Sequence, residues 1–432
     1  MTTTNSDAAR ASQTETLRAQ VSAARAGSRA LAVATTERKN AALAAIAAGL
    51  RARSDEVVAA NERDFAKARE DGAPQSAIDR IRLGAERVEG LAASMADVIA
   101  LQDPVGQTID SATRPNGLVV GRIRVPLGVI AAIYENRPNV TIDIAALCLK
   151  SGNACVLRGG REALESNRVL AAIVTKALID TGLPGGAVQF IANPDRALVG
   201  ELLQMNDLID LMIPRGGKGL VERVRDEATM PVVAGGIGIC HTYVDGSADL
   251  PMALEIVDNA KTRRVSICNA LDVVLLHADV ARPFLAELAA RWGASVELRA
   301  DPTAAALLNG SAARVVPAGA DDFDTEFLDM IAAVHVVESA EEALAHIAAH
   351  GSGHSEAIVT RDFPLAERFL REVDASTVYV NASTQFTDGA EFGLGAEVGI
   401  STGKLHARGP MGLRELTSYK WVVRGQGQTR AH

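Results

Sequence analysis

The segment that decides the fold spans residues 128–160 and reads GVIAAIYENRPNVTIDIAALCLKSGNACVLRGG. Residues 129–133 form an unbroken apolar run, which predicts a strand that is buried on both faces. Residues 140–150 then follow a helical pattern, and residues 154–158 return to a short apolar run. A strand, a helix and a second strand in this order predict a β-α-β unit with parallel strands.

The same alternation continues along the chain. Residues 16–101 place apolar side chains at helical spacing, for example Leu43, Ile46, Ala47 and Leu50. Further helices are predicted at 166–180, near 283–291 and at 340–350, and further strands at 188–191, 273–276, 357–359 and 378–380. We therefore expect an α/β protein with two lobes, each built on a mostly parallel sheet.

Two β-prone segments lie outside these lobes. The turn at residues 115–117 leads into a β-branched run, which predicts a hairpin over residues 113–125. Residues 419–423 form a second β-prone run near the C-terminus. Because either segment alone would leave open backbone edges, we predict that together they form a small oligomerisation flap.

Composition excludes several classes of protein. The 432 residues are 48% hydrophobic and 22% charged, as in an ordinary globular protein. The net charge of -9 argues against binding to nucleic acid or to an anionic membrane. Apolar runs such as 271–276 are far shorter than the ~20 residues of a membrane-spanning helix. Four cysteines without a C-x-x-C pair predict a reducing compartment, the cytoplasm, and no structural zinc.

One of the four cysteines has different neighbours. The other three lie in apolar segments and are predicted to be core residues: Cys148, Cys155 and Cys240. Cys268 follows Lys261, Arg263 and Arg264, and nearby positive charge stabilises the thiolate, the nucleophilic form of cysteine. The pattern alone leaves two interpretations open for Cys268, a nucleophile or a fourth core residue.

Two further motifs are ambiguous. Residues 215–219, RGGKG, precede a helical pattern and are typical either of a phosphate site at a helix N-terminus or of a surface turn. His346, His350 and His354 are spaced by four, which is compatible with metal ligands on one helix face or with contacts at a helix end. Since no acidic motif accompanies these histidines, we expect no metal site.

Several motifs carry a resemblance to a known family. In order, VIAAIYEN at 129–136, SGN at 151–153 with VLR at 156–158, and GLPGG at 182–186 resemble the cofactor domain of the aldehyde dehydrogenase superfamily. The pattern V-x5-A-L-x-H-I-x2-H-G-S-x-H-S-E over 337–356 and KLHARGPMGL at 404–413 are similar to one branch, the gamma-glutamyl phosphate reductases. One departure is that Arg263 and Val265 replace the Gln and Pro of that branch's K-T-Q-R-P motif.

The resemblance implies an NADPH-dependent reduction of L-glutamyl 5-phosphate to L-glutamate 5-semialdehyde and phosphate, in proline biosynthesis. It implies that Cys268 is the nucleophile and that Asn136 stabilises the oxyanion. The implied cofactor-binding residues are Arg158, Arg161, Gly216, Gly217, Lys218 and Glu326. The implied substrate- and phosphate-binding residues are Lys261, Arg264, His354, Asn381 and Ser383.

The resemblance also implies a division of the chain. Residues 1–112 and 126–250 would form the cofactor-binding domain with its N-terminal helices, 251–404 the catalytic domain, and 113–125 with 405–432 the flap. Expected partners are a small-molecule substrate, further copies of the chain in a dimer or tetramer, and the upstream glutamate kinase.

Two alternative functions remain, an NAD-dependent aldehyde oxidiser and a catalytically silent binding module of the same fold. The oxidiser hydrolyses its thioester and needs a general base. The sequence has Val233 where aldehyde-oxidising relatives place a glutamate, in VAGG at 233–236. The presence of both Asn136 and Cys268 disfavours the silent module.

Overall fold

The computed structural model describes residues 2–73, 75–233, 235 and 237–430, which form two compact units. The first unit contains the described residues up to 233 together with Gly393–Gly399 and those from Met411 onward. The second contains Gly235–Phe392 and Ile400–Pro410.

Helices dominate the first hundred residues, as the sequence predicts. They are α1 (Thr2–Leu31), α2 (Thr36–Ala52), α3 (Ser54–Glu70), α4 (Gln75–Ile81) and α5 (Ala85–Ala100). The Thr35 side chain caps α2 by accepting a hydrogen bond from the backbone of Arg38, which satisfies a donor that the first helical turn leaves unpaired. Four apolar positions of α2 chosen from the sequence are buried: Leu43, Ile46, Ala47 and Leu50.

A parallel sheet forms the centre of the first unit. After the hairpin strands β1 (Thr108–Thr113) and β2 (Val119–Pro126), the chain forms β3 (Val129–Tyr134), α6 (Asn139–Lys150), β4 (Ala154–Gly159), α7 (Leu164–Asp180), β5 (Val188–Phe190), α8 (Ala197–Leu203), β6 (Leu211–Arg215) and α9 (Lys218–Glu227). The strand order is β5-β4-β3-β6, with parallel pairing throughout. Every residue of β3 is buried, which confirms the strand predicted from the apolar run.

The second unit repeats this architecture. Its elements are β7 (Cys240–Val244), α10 (Leu250–Thr262), β8 (Leu271–His277), α11 (Ala278–Trp292), β9 (Glu297–Ala300), α12 (Pro302–Leu307), β10 (Arg314–Pro317), β11 (Ile331–Val337), α13 (Ala340–His350), β12 (Ser355–Val359), α14 (Phe363–Glu372), β13 (Thr377–Val380) and the short strands β14 (Ile400–Ser401) and β15 (Gly409–Pro410). The parallel sheet has the order β10-β9-β11-β8-β7-β12-β13. The predicted α/β class with two parallel-sheet lobes is confirmed.

Some elements differ from the sequence prediction. The helix expected near Pro283 begins earlier, at Ala278, because His277 caps its first turn by accepting a hydrogen bond from the Asp279 backbone. Strands β6, β9, β10 and β11 and the two-residue strands β14 and β15 were not predicted. Strand β10 has exposed or half-buried residues, so it lacks the apolar run that marks a central strand.

The C-terminal strand β16 (Thr417–Arg424) completes a separate antiparallel sheet in the first unit. It pairs with β2 over its whole length, and β1 pairs with the other side of β2. The predicted hairpin and the predicted C-terminal strand therefore form one sheet. Several large side chains of β16 are exposed: Tyr419, Trp421 and Val423.

Among the residues that the structure describes, the helices are all too short or too polar to pass through a bilayer.

Candidate active site

The four cysteines, all within the described residues, differ in exposure. Three of them are buried, which confirms their prediction as core residues: Cys148, Cys155 and Cys240. Cys268 is half-buried and lies in the turn between α10 and β8. Its thiol is therefore in the position, among the four, that a small molecule can reach most easily.

A distant segment fixes the turn that carries Cys268. The buried side chain of Asn269 donates hydrogen bonds to the carbonyl oxygens of Gln385 (3.2 Å) and Thr387 (2.9 Å). The Thr384 hydroxyl donates in return to the carbonyl of Asn269 at 2.7 Å. The residue after Cys268 is thus held on both its side chain and its backbone.

Gln385 connects the same turn to the end of α10. Its side-chain amide donates to the carbonyls of Ala260 (2.9 Å) and Arg264 (3.3 Å), and its oxygen accepts from Arg263 at 3.1 Å. These bonds leave the Arg264 side chain exposed to solvent. Arg264, one of the predicted phosphate-binding residues, is therefore accessible to an anion.

The backbone of Gly238 packs directly against Cys268. A Cβ atom at position 238 would lie 1.6 Å from the Cys268 carbonyl oxygen, so only glycine allows this approach. The Gly238 N–H donates to the carboxylate of Glu326 at 3.0 Å. Burial raises the pKa of Glu326, and the Gly238 bond opposes this. Glu326, a predicted cofactor-binding residue, thus lies beside the segment before β7 that contacts the cysteine turn.

Lys261 forms a buried ion pair behind the turn. Its ammonium group donates to the carbonyl of Leu271 at 2.9 Å and lies 3.4 Å from the Asp272 carboxylate. Burial lowers the pKa of Lys261 and raises that of Asp272. Because Lys261 is fully buried and bonded within the fold, it holds the start of β8, and its predicted contact with phosphate stays a prediction.

Three other predicted substrate-binding residues also make bonds within the fold. His354 is fully buried, and its Nδ1 lies 2.9 Å from the Ser355 hydroxyl. Ser383 is buried, and its hydroxyl accepts from the Gln385 N–H. Asn381 binds both backbone groups of Thr360, at 2.9 Å and 3.0 Å. Contact of these three side chains with substrate likewise stays a prediction.

Asn136 lies in the first unit, just past the end of β3. Its backbone has a positive φ of 51°, a conformation that asparagine tolerates better than most residues. Its N–H donates to the carboxylate of Glu162 at 2.8 Å, which fixes the turn after the strand. The carboxyl end of a parallel strand is where α/β proteins place ligand-binding groups.

Arg158 lies at the corresponding end of the neighbouring strand β4. Its guanidinium is half-buried and donates to the carbonyl of Pro194 at 3.0 Å. Arg161, three residues later, is exposed. Both predicted cofactor-binding arginines are therefore on the same edge of the sheet.

Two arginines that sequence reasoning missed add positive charge here. Burial is the main cause of the lowered pKa of Arg158, Glu162 opposes it, and repulsion from Arg196 and Arg223 adds to it. Arg196 and Arg223 are thus each close enough to repel Arg158, although they are far from it in sequence. A bound phosphate would relieve this repulsion.

The predicted glycine motif forms the start of α9. Gly217 precedes the first residue of the helix, Lys218, whose side chain is exposed. The Gly217 N–H donates to the carboxylate of Glu135 at 3.1 Å, and a Cβ at Gly216 would meet the same carboxylate at 2.5 Å. The helix N-terminus therefore attracts an anion, which in this structure is a side chain of the protein.

Val233 is buried, and its N–H donates to the carbonyl of Met212 at 3.0 Å. Its alkyl side chain cannot activate water. Ala234 and Gly236 of the same motif lie outside the described residues.

The histidines of α13 form an imidazole cluster. The rings of His346 and His350 are 4.5 Å apart, and His335 lies 5.1 Å from His346. Over the described part of the chain, His, Cys, Asp and Glu side chains do not form a group of three or more that could hold a metal ion. His354 lies beyond the end of α13 and outside this cluster.

Comparisons with known proteins identify relatives of this chain. The aldehyde dehydrogenase family matches residues 2–316 and 313–422. A gamma-glutamyl phosphate reductase from Dehalococcoides mccartyi is 54% identical over 94% of this chain and 96% of its own. One from Vibrio cholerae is 50% identical over 95% of this chain and 98% of its own. The crystal structure of the gamma-glutamyl phosphate reductase from Thermotoga maritima has a TM-score of 0.94 at 45% identity, covering 96% of this chain and 100% of that chain.

Proposed function

The chain belongs to the aldehyde dehydrogenase family and, within it, to the gamma-glutamyl phosphate reductases, and from this membership we propose that it reduces L-glutamyl 5-phosphate to L-glutamate 5-semialdehyde and phosphate with NADPH. This reaction belongs to the synthesis of proline from glutamate. The observation that carries the proposal is Cys268, the half-buried cysteine among four, in a turn that is held on several sides.

Cys268 is the proposed nucleophile. Its sulfur attacks the acyl carbon of the substrate, the C–O bond to phosphate breaks, and a thioester forms. Phosphate is a good leaving group and needs little acid assistance. Among the predicted phosphate-binding residues, Arg264 has the best support, because its side chain is exposed and a phosphate in solution can reach it.

Asn136 is the proposed oxyanion donor. Negative charge develops on the acyl oxygen as the tetrahedral intermediate forms, and a side-chain amide stabilises it by donating a hydrogen bond. The Cys268 backbone N–H is proposed as the second donor. The fixed turn after β3 supports this role, since a donor that is already oriented loses less entropy when it binds.

The proposed cofactor, NADPH, supplies the hydride that reduces the thioester to the aldehyde. The arginines near the end of β4 support binding of its 2′-phosphate, because Arg196 and Arg223 both act electrostatically on Arg158, beside the carboxylates of Glu162 and Glu135. Arg161 and the 216–218 turn, with Glu326 in the second unit, complete the proposed binding residues.

Val233 distinguishes this function from that of an aldehyde oxidiser. Hydrolysis of a thioester needs a base that activates water, and a buried valine offers none. In the reverse direction we therefore expect phosphate, and not water, to release the acyl group from Cys268.

The test is oxidation of L-glutamate 5-semialdehyde with NADP⁺, with and without phosphate. We expect NADPH formation that depends on added phosphate or arsenate. The buffers with and without phosphate have equal ionic strength and the same protein concentration, so the dependence cannot come from salt. Oxidation at full rate in phosphate-free buffer, with free glutamate as product, would show an ordinary hydrolytic dehydrogenase instead. The variant Val233→Glu provides a comparison, because it introduces the carboxylate that the oxidising relatives use.

Assembly and location belong to the same proposal. The flap built from β1, β2 and β16 is proposed to join copies of the chain into a dimer or tetramer. A cytoplasmic location and a complex with the upstream glutamate kinase are further parts of it.

A further inference from the structure

A second cysteine touches the backbone of Cys268. Cys240, the first residue of β7, is fully buried, and its thiol donates to the carbonyl oxygen of Cys268 at 3.3 Å. Pairing of β7 with β8 places Cys240 opposite Leu271, three positions after Cys268. Gly238, two residues before Cys240, packs on the same turn, since a Cβ there would lie 2.9 Å from the Cys268 Cα.

We propose that Cys240 is a resolving thiol, which forms a disulfide with Cys268 when a peroxide oxidises Cys268, and so switches the active site off reversibly. The effect on activity rests on the proposed function, in which Cys268 is the nucleophile. The formation of the disulfide does not rest on it.

The chemistry balances in two steps. Hydrogen peroxide transfers one oxygen to the Cys268 sulfur, which gives a sulfenic acid and releases water from the other half of the peroxide. The Cys240 sulfur then attacks the Cys268 sulfur, the S–O bond breaks, and the second oxygen leaves as water with the thiol proton. Both cysteines have then lost one electron each to the peroxide.

Exposure sets the order of these steps. Cys268 is half-buried and meets the peroxide first, whereas Cys240 is buried. Burial also raises the pKa of the Cys240 thiol, so it stays protonated and inert towards peroxide itself.

A proton acceptor lies beside Cys240. The Nδ1 atom of His354 is 3.9 Å from the Cys240 sulfur. Burial lowers the pKa of His354 to about 4, so its ring is neutral near pH 7 and has a lone pair available. The ring does not keep the thiol proton, but its lone pair can relay that proton to the oxygen that leaves Cys268 as water while the S–S bond forms.

Closing the bond requires movement of the turn. A disulfide needs Cα atoms about 4.4–6.8 Å apart and Cβ vectors that face each other. The Cys240 sulfur already touches a backbone atom of Cys268, and Cys268 lies in a turn outside the regular helices and strands. The adjustment therefore works against the hydrogen bonds that hold Asn269, and the disulfide would remove the nucleophile by holding its sulfur in the S–S bond.

Peptide mapping of the oxidised protein tests the proposal directly. The unmodified full chain is treated with hydrogen peroxide, its remaining thiols are alkylated, and tryptic peptides are identified by mass spectrometry while activity is measured in parallel. We expect a peptide that joins Cys240 to Cys268 and a loss of activity of about tenfold or more, which dithiothreitol reverses. Alkylated Cys240 in inactivated protein would overturn the proposal.

Two variants sharpen the test. In Cys240→Ala the same treatment should leave Cys268 as sulfinic acid, with a loss of activity that dithiothreitol does not restore, because no partner traps the sulfenic acid. The matched control Cys155→Ala removes a buried thiol from β4 in the first unit and should stay reversible. Reversible inactivation of Cys240→Ala would contradict the assignment.

The outcomes separate this proposal from the proposed function. If the linked peptide forms and turnover is unchanged, Cys268 is not the nucleophile and the disulfide does not regulate activity. Both the proposed function of Cys268 and the proposed switch are then wrong. If Cys268→Ser is inactive but no linked peptide forms, only the proposed switch fails. If Cys240→Ala does not fold, mapping of the unmodified chain still decides.

Discussion

Replacing His354 with asparagine should change how stability depends on pH. His354 is fully buried, and burial lowers its pKa from 6.5 to about 4. Between these values only the unfolded chain takes up a proton at this position, so unfolding is favoured as the pH falls. Each pH unit in the interval is worth about 1.4 kcal/mol, which gives about 3 kcal/mol of stability lost between pH 6.5 and pH 4.

The variant His354→Asn has no imidazole to protonate. The free-energy difference between the unmodified protein and the variant should therefore shrink by about 3 kcal/mol from pH 7 to pH 4. Groups that titrate in the opposite direction, such as Asp272 with a pKa raised by burial to about 7, destabilise the fold as the pH rises through that interval. Because both proteins carry them, they cancel in the difference.

The assay is urea unfolding followed by tryptophan fluorescence. The chain has two tryptophans, Trp292 buried in α11 of the second unit and Trp421 exposed on β16. In a Trp421→Phe background, Trp292 reports on the unit that contains His354. A difference for His354→Asn that is the same at pH 7 and pH 4 would refute the reasoning.

Four further predictions concern the reaction and the assembly. Cys268→Ser should lose turnover by several orders of magnitude while NADPH binding, measured by fluorescence titration, is retained; near-normal turnover would exclude Cys268 as nucleophile. Asn136→Ala should lower kcat about 100- to 1000-fold with little change in KM, and a change in KM alone would make Asn136 a ground-state binding residue. Arg158→Glu should remove a preference for NADPH over NADH in kcat/KM, and equal values for both cofactors in the unmodified protein would contradict the assignment. Light scattering of the full chain should show at least a dimer; a monomer at micromolar concentration would count against the oligomerisation flap.

Strands β3, β4 and β8 were predictable because burial on two faces leaves a local pattern, although β11, which also lies inside its sheet, was not predicted. Strand β3 is an unbroken apolar run, and α6 follows it with a helical pattern, so neighbouring residues suffice to identify them. Strand β10 lies at the sheet edge, and its residues are exposed or half-buried. It therefore has no apolar run by which the sequence could identify it.

The site was predictable only in part. Cys268 stands out by its cationic neighbours in sequence, but the contacts that fix it come from Gln385 and Gly238, which carry no local signal. Arg196 and Arg223 are ordinary basic residues in sequence, and only the fold brings their charge to Arg158. The burial of Lys261 was not predictable either, because a lysine is rarely buried without a partner of opposite charge. Its partner Asp272 lies in another element, and only the fold brings the two together.

The two pairing partners of β2 are synthesised at different times. One neighbour of β2, the strand β1, precedes it directly, whereas the other, β16, is made after the whole second unit. During synthesis the N-terminal part of a chain emerges first, so β2 presents an open hydrogen-bonding edge until residues 417–424 leave the ribosome. One side of the hairpin therefore stays unpaired until the second unit and β16 have been translated. A nascent chain that stalls in the second unit would therefore expose a strand edge to its neighbours on the same message.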